Sequence, residues 1–70
     1  MNFDDYLKSA FDIYNEVRSP WLKLADIQEL ENEIIDANNA RAITTREYTV
    51  LYSLVDFLNV RIKMQCDKHM

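Results

Sequence analysis

The chain has 70 residues, no glycine, one proline, one cysteine and a net charge of −4. About five glycines would be expected at average usage, and their absence excludes the glycine-built phosphate loops, dinucleotide fingerprints and nucleophile elbows of many enzymes. The length allows one domain, residues 1–70, and Cys66 alone can form no internal disulfide, which fits a reducing cytoplasm.

The acidic, polar start from Met1 to Tyr6 lacks a basic n-region and an apolar h-region, so it predicts no signal peptide and a chain complete as it stands. A first helix is predicted over 3–17. Asn2 is its N-cap, and Asp4 and Asp5 sit at the positive end of the helix dipole. Phe3, Leu7, Ala10, Tyr14 and Val17 form a heptad seam, which Tyr6 and Ile13 widen. Phe11 falls off this seam. Ser19-Pro20 then separates the first two helices, because proline suits the first helical position and holds the residue before it out of the α region.

A second helix is predicted over 20–38. Leu24, Ile27, Leu30, Ile34 and Ala37 form its buried stripe, flanked by Trp21 and Ile35. Asp26, Glu29, Glu33 and Asp36, spaced 3, 4 and 3, form an acidic ridge expected on the opposite face. Residues 24–40 hold five acids and no Lys or Arg, a charge of −5, and the rest of the chain sums to +1. Asn38-Asn39 is expected to supply the left-handed C-cap that glycine usually supplies.

Thr44-Thr45-Arg46-Glu47 reads as a capping box, with Ile43 and Tyr48 placed as a hydrophobic staple across it. It opens a third helix, predicted over 45–66. Tyr48, Leu51, Val55, Leu58 and Ile62 form one seam, and Val50, Leu54, Phe57 and Met64 a second line beside it. Tyr52, Asp56, Asn59 and Lys63 make a narrow polar strip. A helix apolar over so much of its circumference is central to a bundle or half of an interface. One line is expected to pack within the domain, the other to meet a second subunit or a partner protein.

These residues offer little for catalysis. Carboxylate pairs such as Glu29 with Glu33, or Glu31 with Asp36, lack the Glu-x-x-His partners of a di-iron bundle. Cys66-x-x-His69 supplies two ligands near a terminus, not a zinc site. No catalytic residue, metal ligand or cofactor is therefore predicted. Arg41, Arg46, Arg61, Lys63 and Lys68 are too scattered for a nucleic-acid patch, and no stretch of about 18 apolar residues exists to span a membrane. The acidic ridge reads either as a docking face for a basic protein surface, in the manner of a phosphate row, or as a solvated helix face. Trp21 and Tyr52 are the aromatic side chains best placed as interface anchors. Tyr6, Tyr14 and Tyr48 follow the seams and read as core.

Asp5-Tyr6-Leu7, Leu30-Glu31, Ile43-Thr44-Thr45-Arg46-Glu47 and Val50-Leu51-Tyr52-Ser53-Leu54-Val55-Asp56 resemble the Hha/YmoA family of small helical proteins over about half the chain. Phe57-Leu58 stand where that family has His-Arg, its C-terminal Trp segment is missing, and the link between the first two helices is longer. The resemblance implies a modulator of gene silencing that binds nucleoid proteins of the H-NS type, with Asp56 and nearby polar residues touching the partner.

Taken together, the residues predict an all-α, three-helix bundle that is not an enzyme. They predict a small acidic cytoplasmic regulator, of the phage- or plasmid-inhibitor kind, binding a protein with a basic, nucleic-acid-binding surface. The alternatives are the silencing modulator and a homodimerisation module.

Overall fold

A computed structural model describes residues 2–68 as three α-helices, α1 (Phe3–Asn15), α2 (Pro20–Asn39) and α3 (Thr45–Lys68). They pack into a three-helix bundle. At 1.5 Å per residue, the 24 residues of α3 extend about 36 Å and set the 40 Å long dimension of the molecule.

The predicted capping box at Thr44 forms, and Asn2, the expected N-cap of α1, forms a second box with Asp5. Asp5 N–H donates to Asn2 Oδ1 at 3.0 Å and Asn2 N–H to Asp5 Oδ2 at 3.1 Å. Glu47 N–H donates to Thr44 Oγ1 at 3.1 Å and Thr44 N–H to Glu47 Oε1 at 2.9 Å. Each box satisfies two amides that the helix start leaves without partners. Pro20 opens α2 as expected, but Ser19 caps it only through its carbonyl, which accepts from Leu22 N–H at 3.1 Å and Lys23 N–H at 3.2 Å.

The ends of the helices depart from the sequence reading in two places. First, α1 stops at Asn15 because Glu16 turns to extended backbone at ψ 143°. Val17 therefore leaves the seam and is fully exposed, at 103%. Second, α2 runs through Asn39, and the left-handed position falls on Arg41 at φ 59°. Ala42 N–H bonds Ala37 O at 2.9 Å and Arg41 N–H bonds Asn38 O at 3.1 Å, the two bonds of a Schellman ending. The asparagines are thus the last helical residues, and an arginine takes the conformation that glycine favours, at a cost of about 1 kcal/mol. The remaining boundary shift, α3 ending at Lys68, is within the fraying of any helix end.

The core is built from Tyr6 and Ala10 of α1, Ile27, Leu30, Ile34 and Ala37 of α2, Ile43, and Leu51, Val55, Leu58, Ile62 and Cys66 of α3. The first seam of α3 is thus the buried one, continued by Cys66. Leu24 is only half-buried, and the first turn of α2 instead buries Lys23. Phe3, Leu7, Ile13, Tyr14 and Tyr48 pack around the edge of this cluster. Phe11 stays exposed. No helix among the described residues is long and apolar enough to cross a membrane.

Candidate functional site

The corner between α1 and α2 explains the position of the acidic ridge. α1 has no basic residue in its last turn, so its carbonyl end lacks a compensating cation. Lys23 of α2 supplies one. Its ammonium donates to Tyr14 O at 2.8 Å and stands 5.8 Å from the centroid of the Tyr14 ring. Beside it, Arg18 reaches Glu16 Oε2 at 2.8 Å and Asp26 Oδ2 at 2.6 Å. Two cations therefore tie α2 to the end of α1.

Asp26 is consequently half-buried and neutralised. The other three members of the ridge, Glu29, Glu33 and Asp36, are exposed, and none takes part in an ion pair among the described residues. The row does not lie opposite the buried stripe. At 3.6 residues per turn it sits about 100° from the centre of Lys23, Ile27, Leu30, Ile34 and Ala37, on the side that faces α1. Ser9 and Ile13 of α1 and Asp26, Glu29, Leu30 and Glu33 of α2 line an open groove of about 260 Å³ there. The carboxylates form one wall, Ser9 and Ile13 the other. Periodicity placed Ile13 beside the α1 seam but did not show that it and Ser9 face the acidic row, nor that Arg18 pairs with Asp26, because each meets α2 across an interhelical contact.

A second surface lies on α3. Val50, Phe57 and Met64 are half exposed or more, whereas Leu54, assigned to the same line, packs on the core edge. Val60, which the sequence reading left out, is exposed alongside them. Arg61 stands over Phe57, 5.9 Å from the ring centroid. Tyr52 is exposed with its ring 5.6 Å from that of Tyr48, and Trp21 is exposed at the start of α2. Asp56 and Lys63 of the polar strip are exposed. Asn59 is half-buried, with its Oδ1 covered and lacking a hydrogen-bond partner among the described residues. The basic residues Arg41, Arg46, Arg61, Lys63 and Lys68 stay spread along one end and one helix.

Cys66 is buried as a free thiol in the core. His69, paired with it in the sequence reading, lies outside the described residues. Among the described residues no three His, Cys, Asp or Glu side chains gather as a metal site. Comparisons with protein-family models, with curated proteins and with solved structures found no match to this chain.

Proposed function

We propose that this chain is a non-enzymatic regulatory protein that binds a partner protein, and that the partner lays a basic surface on the carboxylate row of α2. The observation that carries this reading is the row itself. Glu29, Glu33 and Asp36 are exposed and have no counter-ion among the described residues, and Glu29 and Glu33 border an open groove. Such a row is one wall of a concave surface, and it raises the local negative potential where the groove excludes solvent. A partner whose own ligand is nucleic acid presents the complementary chemistry, so occupation of the row would block that ligand. Charge complementarity of this kind chiefly raises the association rate and depends on salt.

The test is a pull-down from the native host, identification of the bound protein, and titration of that protein at several salt concentrations. Glu29→Lys with Glu33→Lys is expected to weaken binding at least tenfold and to flatten its salt dependence, with helix content unchanged by circular dichroism. Unchanged affinity of a folded double variant would sink the docking role of the row.

A second reading follows the Hha/YmoA resemblance. Asp56 is exposed on α3 and takes part in no ion pair among the described residues, so it is accessible to a nucleoid protein of the H-NS type. Titration with such a protein, and with Asp56→Ala as control, decides it: no binding removes this reading.

A further inference from the structure

We infer that α1 is a hinged strap: it releases from the α2–α3 pair as one unit before the rest of the fold gives way, and its release dismantles the groove beside the acidic row. The unequal division of the core carries this inference. The largest fully buried side chains, Ile27, Ile34, Leu51, Val55 and Ile62, all stand on α2 and α3. α1 buries only Tyr6 and Ala10, and Ala10 brings a single methyl group. The most extensive helix contact is likewise between α2 and α3, with α1 touching each of them far less. Apolar stabilisation scales with the area covered, so α1 is held by much less than the pair it leans on.

The polar ties of α1 all lie at one end. Lys23 Nζ donates to Tyr14 O at 2.8 Å, and Arg18 joins Asp26 at 2.6 Å. Upstream of Tyr14, no ion pair or side-chain hydrogen bond reaches another helix among the described residues. There Phe3, Tyr6, Leu7 and Ala10 hold the helix by apolar packing alone. The link to α2 offers little resistance. Glu16 is extended, and the amides of Val17, Arg18 and Ser19 make no backbone hydrogen bond among the described residues. A helix pinned only at its last turn swings about that corner, with its Phe3 end travelling furthest. Once undocked, its 13 residues are too few to stay helical in water, so the released segment melts.

The groove then loses a wall. Ser9 and Ile13 leave, and Glu29 and Glu33 remain on α2 as a solvated row. A partner that grips both walls therefore holds the strap shut, because a ligand stabilises the state it selects. Only this consequence rests on the docking reading above. The release itself is a property of the chain alone.

Native-state amide exchange on the free chain, at several urea concentrations below the unfolding transition, measures the release. The amides from Leu7 to Tyr14 are expected to exchange through one shared opening. They are expected to be about tenfold less protected than those of Leu51–Ile62, with a weaker dependence on urea because less surface is exposed. Equal protection and equal urea dependence in the two helices would show one cooperative unit and overturn the inference. Protection that decays residue by residue from Phe3 without urea dependence is fraying, and overturns it too.

The released state can also be trapped. Ala10 is fully buried, and Ala10→Asp places a charge where α1 docks. The variant is expected to lose no more helix than the 13 residues of α1, and its α2–α3 pair to unfold in a single urea transition. A greater loss shows that the pair cannot stand without α1 and refutes the strap. An Ala10→Asp chain whose α1 is protected as in the parent refutes it as well. Neither experiment needs a partner, so their failure leaves the docking role of the row intact, and failure of the Glu29 and Glu33 variants leaves the strap intact.

Discussion

Replacing Lys23 by methionine removes one hydrogen bond while roughly keeping the length and volume of the side chain. Lys23 is 8% exposed, and its ammonium donates to Tyr14 O at 2.8 Å. Loss of a charged donor from a covered carbonyl costs about 1.5–3 kcal/mol, and loss of a cation at a helix C-terminus costs about 0.3–1 kcal/mol more. Relief of the desolvation that burying a charge imposes opposes both. The net expectation is a destabilisation of about 1–2 kcal/mol. In a domain of 60–100 residues that lowers Tm by roughly 5–15 °C. Urea and thermal unfolding, followed by circular dichroism, measure the effect. Amide exchange locates it: the last turn of α1 is expected to open sooner in the variant, while the Leu51–Ile62 segment of α3 opens only with global unfolding. A Lys23→Met protein as stable as the parent, with α1 protected as before, would refute the view that this lysine anchors the corner.

Three other outcomes follow from the helix ends and the core. Arg41→Gly relieves a left-handed backbone at φ 59° and is expected to raise stability by about 0.5–1 kcal/mol in the same unfolding assay, since glycine adopts that conformation without steric cost. Thr44→Ala removes the oxygen that accepts from Glu47 N–H at 3.1 Å and is expected to lower stability by about 1 kcal/mol, with faster exchange confined to the first turn of α3. Leu51→Ala empties a fully buried position and is expected to lower stability by about 2–5 kcal/mol, a large share of the total for a domain of this size, read as a fall in the urea midpoint.

The features that could be read along the chain are those whose partners lie within one or two helical turns. The Asn2–Asp5 and Thr44–Glu47 boxes each close within three residues. Pro20 sets its own boundary through its ring, and the seam from Leu51 to Ile62 follows from 3.6 residues per turn. Periodicity likewise marked α3 as having more apolar surface than one side of the bundle covers, because that surplus is a property of one helix. The acidic row, too, was visible as a spacing. Its surroundings were not: Arg18 neutralises Asp26 from eight residues away, and Ser9 and Ile13 close the groove from another helix.

The rest was decided only where helices meet. Lys23 stands in helical register with Ile27, Leu30 and Ile34, but its charge reads against burial; it is buried because the carbonyl end of α1 arrives beside it. The left-handed residue moved from the asparagines to Arg41 because the Schellman bonds to Ala37 and Asn38 set where α2 stops. Val17 left its seam because Glu16 turns the chain out of the helix before reaching it. By itself, the sequence determined the three helices, their starts and their buried stripes, since local hydrogen bonds and helical period are contained in neighbouring residues. Tertiary structure decided which charges are neutralised, which side of α2 the acidic row occupies and which apolar line of α3 stays uncovered, since each depends on a group brought close from another helix.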